Sequence, residues 1–394
     1  MNNPMLDTDL YIFTMGIFAK YKHQNIIAEY VFKCRNNVNL SNIINTLRKE
    51  INTFINNAKF TNEQVDYLNS ILGNKAEYFR EYVNTPLPID FDDFVIDVKN
   101  HELIVRAKGP LWAYIFIEVP LLYKVNEIYN NYKYSCINID EIYKGGDNKL
   151  DEKIKLLNQN PGVKIMEFGT RRRFSKEWQK HVLLRLLNET NNIVGTSNVE
   201  LAKELGISPL GTTAHLYSQV YQALTHPLDS QKLFFKEWSE FWGDKFLIAL
   251  TDIFPQQKFL KDFNKELANK YHGVRHDSGD PKIWCREIIE HYKSKGIDPK
   301  TKTAIFSDGL DIPLCIELYN EFHDEINVIF GVGTNLTNDM GMGHQALQIV
   351  MKVVEINGRP VAKLSNNPAK SMCEDQKYTD WLVDSITKDI KNEY

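Results

Sequence analysis

Gly211-Thr212-Thr213-Ala214-His215 runs straight into a helix-periodic stretch, Leu216 to Leu224. Ala214, Tyr217, Val220, Tyr221 and Leu224 recur at the spacing of one helix face, so Thr212 or Thr213 is expected at the N-cap and His215 in the first turn. The positive end of a helix disfavours an imidazolium, and a neutral ring there can serve as nucleophile or base. A phosphoryl group placed on or beside it would meet the N–H groups that helix starts offer to anions. Arg171, Arg172 and Arg173 add planar forks suited to phosphate or carboxylate. Asp277, Asp280 and Asp308 add carboxylates that can bind Mg²⁺, hold ribose hydroxyls or neutralise the arginines. Gly331-Val332-Gly333-Thr334 offers bare backbone amides and a hydroxyl, the makings of a phosphate cup. No G-x-x-x-x-G-K-[ST], G-x-S-x-G or H-E-x-x-H pattern occurs, so the chemistry is neither that of a P-loop nor that of a serine hydrolase or zincin.

These residues fall where short apolar runs end. Val163 to Phe168, Asn192 to Val194, Phe246 to Leu250, Tyr271 to Val274, Thr303 to Phe306 and Asn327 to Phe330 each stop at a polar loop. Helical sequence (Ser175 to Leu187, Asp262 to Lys270, Pro281 to Lys295, Ile312 to Phe322) separates most of them. Six strand-then-loop units describe a parallel α/β barrel or a doubly wound sheet, with reactive residues at the carboxyl ends of the strands. The first 150 residues have a different rhythm. A helix from Ile12 to Tyr21, capped by Asp7, Thr8 or Asp9, precedes a strand at Ile26 to Phe32. Helical sequence follows at Leu40 to Ala58 and Asn62 to Leu72, then a hairpin of Phe94–Val98 with Leu103–Arg106 around a loop of about four residues. Trp112 to Val119 reads as a further apolar strand, and Pro120 as the start of a helix towards Tyr134. An α+β domain over 1–150, joined by part of the C-terminal segment, and an α/β domain over 151–394 with a C-terminal extension are therefore expected.

Composition sets the outer limits. The 394 residues are 43% hydrophobic and 25% charged, an ordinary globular balance. A net charge of −4 marks no basic field for nucleic acid or membrane. The five cysteines are scattered and contain no C-x-x-C pair, which argues for a reducing compartment and against structural zinc. With no signal-like N-terminus and no apolar membrane-length run, a cytoplasmic location is expected.

Taken together, the motifs resemble the nicotinate phosphoribosyltransferase family. They are Leu6-Asp7-Thr8-Asp9-Leu10-Tyr11, Glu118-Val119-Pro120-Leu121, Glu167-Phe168-Gly169-Thr170-Arg171-Arg172, Gly195-Thr196-Ser197-Asn198, Gly211 to His215, Arg275-His276-Asp277-Ser278-Gly279-Asp280-Pro281, Phe306-Ser307-Asp308, Phe330 to Thr334, and Val361-Ala362-Lys363-Leu364-Ser365. The resemblance implies an irregular α/β barrel with an N-terminal open-faced sandwich, in a homodimer. It implies an enzyme that makes nicotinate mononucleotide and pyrophosphate from nicotinate and phosphoribosyl pyrophosphate, with Mg²⁺ and with ATP hydrolysed through a transient phosphohistidine. His215 matches the phosphorylated histidine; Tyr11, Phe168, Thr212 and Arg275 match nicotinate contacts. Arg171, Asp277, Ser278, Asp308, Gly331, Gly333 and Thr334 fall to the phosphoribosyl donor. Leu216, Ile12 and the loop Met340-Gly341-Met342-Gly343-His344 depart from the family's usual pattern. The rival readings are nicotinamide phosphoribosyltransferase, a lysine Schiff-base barrel using Lys363, and a non-catalytic barrel that binds phosphorylated metabolites.

Overall fold

The computed structural model describes residues 4–364 and 371–391. Ser365, the last residue of the Val361–Ser365 motif, lies outside them. The chain forms two compact units of three segments each, so no single break near residue 150 separates them. Unit 1 is Met1–Gln159, Met166–Gly211 and Val332–Lys352; unit 2 is Asn160–Ile165, Thr212–Gly331 and Val353–Tyr394.

In unit 1 the helix Leu10–Lys22 is buried from Leu10 to Ala19, wider than the single stripe of a surface helix. Phe13 meets Phe60, Phe79 and Phe116 edge-on, at centroid distances of 6.4, 5.9 and 5.5 Å. Strands β1 (Ile27–Cys34), β2 (Phe94–Lys99) and β3 (Glu102–Pro110) form an antiparallel set with β3 in the middle. The β2–β3 loop is two residues, shorter than expected. Asn100 and His101 both take positive φ (52° and 67°), which lets a tight turn match the strand twist.

The expected strand at Trp112 to Val119 is helical instead: Leu111–Tyr114, a 3₁₀ turn Ile115–Ile117, then the helix Glu118–Lys133. Every residue from Leu111 to Tyr123 is buried, and a run buried all round carries no period to tell strand from helix. Pro120 falls within the first turn, where its missing N–H costs little. The short strands β4 (Ile165–Glu167) and β5 (Ile193–Thr196) each lead to a polar loop, as expected.

Unit 2 is organised by four neighbouring strands: β6 (Ile248–Leu250), β7 (Gly273–His276), β8 (Thr303–Phe306) and β9 (Asn327–Val332). They pair in parallel, Leu250 opposite Arg275, His276 opposite Phe306 and Phe306 opposite Phe330. Parallel neighbours need a crossover, supplied by the helices Pro281–Ser294 and Ile312–Phe322. Each carries a proline in its first turn behind a capping aspartate, Pro281 at the first position and Pro313 at the second. Asp280 accepts from the N–H groups of Lys282 and Ile283, and Asp311 from that of Leu314. Phe306 stacks on Phe330 at 5.6 Å and meets Trp284 edge-on at 5.3 Å, tying sheet to helix.

Candidate active site

Parallel pairing brings strand ends to one level. Two residues beyond the Leu250–Arg275 pair lie Asp252 and Asp277, and Ser307 follows Phe306 beside Asp277. Leu364 N–H donates to the Ile253 carbonyl at 2.8 Å, drawing Lys363 alongside Asp252. The helix Leu216–Leu224 starts one residue after His215, which itself occupies the N-cap position without a side-chain cap bond. Neither Thr212 nor Thr213 caps it. Thr212 Oγ donates to the Ile248 carbonyl at 3.4 Å instead.

His215, Asp252, Asp277, Ser278 and Lys363 thus form one cluster within unit 2. His215 Nε2 lies 2.7 Å from Asp252 Oδ1 and 3.7 Å from Asp277 Oδ2. Lys363 Nζ is 2.9 Å from Asp252 Oδ2 and 3.8 Å from Asp277 Oδ2. Ser278 Oγ donates to Asp252 Oδ2 at 2.8 Å, and Ser307 Oγ to Asp277 Oδ1 at 3.3 Å. Burial raises the Asp252 pKa, but the attraction of His215 and Lys363 and their hydrogen bonds outweigh it and hold the carboxyl well below its usual range. An ionised carboxylate can only accept, so the shared proton sits on Nε2 and the Nδ1 lone pair is the one available for bond formation. Burial, opposed by Asp252, pushes the His215 pKa down to about 4. The ring is neutral as expected, but burial is the larger cause.

A stability prediction follows. An unfolded histidine takes up a proton below about pH 6.5, whereas His215 stays neutral in the fold down to about pH 4. Its contribution to stability is therefore lost as pH falls from about 6.5 towards 4. Asp252 acts in a lower window: its stabilisation is present above the unfolded carboxylate pKa and disappears only under stronger acid. Between pH 7 and pH 5 the wild type should lose roughly 2 kcal/mol more unfolding free energy than His215→Asn, measured by urea denaturation. Equal losses in the two proteins would contradict the assigned protonation state.

Unit 1 holds a second polar cluster, built on Asp7-Thr8-Asp9. Arg173 grips Asp7 through both Nη atoms, at 2.7 and 2.9 Å, and donates from Nε to Glu127 at 2.7 Å. Asn198 Nδ2 donates to Asp7 at 2.8 Å, and Ser197 Oγ to Asp9 Oδ1 at 2.7 Å. Neither acid caps the helix Leu10–Lys22 through its side chain, contrary to expectation, because both carboxylates face these partners. Glu167, fully buried, accepts from Thr196 Oγ at 2.5 Å, from Gln179 Nε2 at 2.9 Å and from Gly169 N–H. Tyr11 O–H donates to Glu118 at 3.3 Å.

The residues expected at the donor and pyridine sites distribute as follows. Within unit 1, Phe168 N–H donates to the Val332 carbonyl, and the Phe168 carbonyl packs so close to Gly333 that a Cβ there would lie 3.0 Å from its oxygen. Thr334 opens the short helix Thr334–Thr337. The three arginines do not act alike. Arg173 is sealed in its ion pairs, Arg172 Nε donates to the Ile349 carbonyl, and Arg171, 40% exposed, stands 3.8 Å from Asp9. Within unit 2, Asp277 and Ser278 join His215, Arg275 lies on β7, and Asp308 and Gly331 belong to the ends of β8 and β9. Asp280 is committed to its helix cap. Asp252 and Glu118 escaped notice as site residues. Asp252 stands in an ordinary Leu-Thr-Asp-Ile setting whose only signal is its place after an apolar run.

Among the described residues no helix is long and apolar enough to cross a membrane. Residues 163–388 match the model of the nicotinate phosphoribosyltransferase (NAPRTase) family, and residues 6–126 the model of its N-terminal domain. A nicotinate phosphoribosyltransferase of Cupriavidus necator is 40% identical over 390 residues, covering 96% of each chain. One from Chromobacterium violaceum is 38% identical over 392 residues, covering 96% of this chain and 95% of its own. The crystal structure of nicotinate phosphoribosyltransferase from Vibrio cholerae superposes with a TM-score of 0.90 at 31% identity, covering 99% of this chain and 96% of the other. The Porphyromonas gingivalis structure of that name gives 0.90 at 26% identity, covering 98% and 100%.

Proposed function

This chain belongs to the nicotinate phosphoribosyltransferase family, and from that footing we propose how its residues share the work. It is an enzyme that transfers the phosphoribosyl group of phosphoribosyl pyrophosphate to nicotinate, a step in NAD biosynthesis.

ATP enters through His215. The observation that carries this reading is the buried 2.7 Å contact of His215 Nε2 with Asp252, which leaves Nδ1 as the nucleophile. Nδ1 forms an N–P bond to the terminal phosphorus of ATP as the P–O bond to ADP breaks, and that electron pair leaves with ADP. The phosphoimidazole keeps its Nε2–H, and the positive charge that develops on the ring is stabilised by ionised Asp252. Lys363 and Ser278 hold Asp252 in that orientation. Water later takes the phosphoryl group, and the cycle shifts the protein between states of different substrate affinity. Each tenfold difference needs about 1.4 kcal/mol.

Nicotinate falls to Tyr11, Phe168, Thr212 and Arg275. Aromatic stacking contributes about 0.5–1.5 kcal/mol beyond burial and does not tell an acid from an amide, so the Arg275 fork carries that selection. Arg171, Asp277, Ser278, Asp308, Gly331, Gly333 and Thr334 fall to the donor. Of Asp277, Asp280 and Asp308, Asp280 is taken by its cap, while Asp277 and Asp308 follow neighbouring strands and suit a hard cation. Lys363 already stands between Asp252 and Asp277, so the ion fits best as one that arrives with substrate phosphates. Bound there, Mg²⁺ would supply positive charge to offset that of the departing pyrophosphate. A homodimer in the cytoplasm completes the reading.

The test is direct. Protein incubated with phosphoribosyl pyrophosphate, Mg²⁺ and ATP should form mononucleotide and ADP from nicotinate. Product from nicotinamide but not from the acid would overturn the substrate assignment.

A further inference from the structure

The loop Met340–His344, which departs from the family's usual wording, is tied into unit 1 through its histidine. Tyr134 O–H lies 2.6 Å from His344 Nδ1, and His344 Nε2 lies 2.7 Å from Asn338 Oδ1. Asn338 Nδ2 in turn donates to the Arg172 carbonyl at 2.7 Å. Burial drives the His344 pKa down to about 4, so the ring is neutral and carries one proton. The amide fixes which nitrogen holds it. Asn338 has its Nδ2 on a carbonyl, so its Oδ1 faces the ring and must be met by Nε2–H. Nδ1 is then the acceptor for Tyr134.

Other contacts brace the same two segments. Thr337 Oγ donates to the Gly169 carbonyl at 3.1 Å, and Phe174 N–H to the Thr337 carbonyl at 2.8 Å. Lys153 Nζ holds the Asn335 carbonyl and pairs with Asp339 at 2.7 Å. The loop also lies flat on the helix Ile139–Gln159, where a Cβ on Gly145 would come within 2.5 Å of the Met340 carbonyl. Two donor-binding candidates, the arginine turn 170–172 and the start of the helix at Thr334, are thereby held at a fixed separation. Asn338 reaches the arginine end at the Arg172 carbonyl, next to the Arg171 carbonyl that Asn126 Nδ2 meets at 3.2 Å. Without a donor on Asn338 Oδ1, the amide keeps its preference for the Arg172 carbonyl but loses the second contact that fixes its plane, so its hold on the turn loosens.

We propose that His344 is a positioning residue for phosphoribosyl pyrophosphate, acting through Asn338 to hold the Arg171–Arg172 turn where the donor's phosphates bind. The inference rests on the donor reading given above. The effect belongs to the donor: His344 bonds Tyr134 and Asn338, and Asn338 bonds the Arg172 carbonyl, none of them a nicotinate candidate.

Steady-state kinetics of full-length protein, varying each substrate in turn, tests this. His344→Ala should raise the KM for phosphoribosyl pyrophosphate about tenfold and leave kcat and the nicotinate KM within twofold. Tyr134→Phe, a milder change that keeps the ring in place, should move the same KM in the same direction by a smaller factor. His344→Gln, which retains an N–H for Asn338, should recover part of the loss. Adding Asn338→Ala to His344→Ala should cost no more than Asn338→Ala alone. An unchanged donor KM in both His344→Ala and Tyr134→Phe, or equal rises for both substrates, would overturn the proposal while leaving the reaction assignment intact. Wild-type protein that forms no mononucleotide would overturn both.

Discussion

His215→Asn should accept no acid-labile phosphate from γ-labelled ATP, and ATP should no longer stimulate mononucleotide formation, its accelerating factor falling to one. Asparagine keeps a polar group near Asp252 but offers no nitrogen lone pair to phosphorus. Asp252 stays held by Lys363 and Ser278, so the cluster is not left with an unpaired buried carboxylate. The slow transfer that proceeds without ATP should persist. Asp252→Asn should separate geometry from charge. Its amide can still meet His215 and Ser278, but it no longer stabilises the positive ring that forms with the N–P bond, so labelling should slow by two or more orders of magnitude. Full labelling of His215→Asn would move the phosphorylated residue elsewhere, and full labelling of Asp252→Asn would show that the Asp252 charge plays no part in the step.

Arg173→Met should be the most damaging single change to stability. The guanidinium is 1% exposed, bidentate to Asp7, bonded to Glu127 and Gln179, and 4.2 Å from the Tyr123 ring centroid. Burial alone would raise the Asp7 pKa; Arg173 overrides it and holds the carboxyl well below its usual range. Removing the cation leaves Asp7 with Lys176, 3.5 Å away, as its remaining counter-charge and takes the guanidinium from Glu127, and breaking a buried pair from one side costs about 3–5 kcal/mol. Urea unfolding at pH 7 should show a loss of that size. Because Asp7 is kept ionised by its partner, its contribution is present above the unfolded carboxylate range and is lost only as pH falls well below it. A loss under about 1 kcal/mol would show that the network is not what holds the Asp7-Thr8-Asp9 stretch in place.

That network explains what the sequence revealed and what it hid. The strands of unit 2 were legible because each apolar run stops at a polar loop, and parallel pairing then sets Asp252, Asp277 and Ser307 side by side. The family resemblance rested on short motifs such as Gly211–His215 and Arg275–Pro281, and the matches over 6–126 and 163–388 bear it out. Partners far apart in the chain were not legible. Asp7 and Arg173 are 166 positions apart, and Asp252 and Lys363 lie on segments that no local pattern links. The three consecutive arginines look alike in sequence, yet one is sealed in an ion pair, one bonds a carbonyl and one stands beside Asp9. Trp112 to Val119 reads as a strand yet folds as helix, because burial on every side erases the period that distinguishes the two.

The central claim is that Asp252 engages Nε2 of His215 and so directs phosphorus to Nδ1. Heteronuclear NMR of the phosphoenzyme, formed with ATP on protein labelled with ¹⁵N at histidine, reads the N–P connection directly. Coupling of phosphorus to Nδ1 of residue 215 is the expected result. Coupling to Nε2, or to a different histidine, would contradict it.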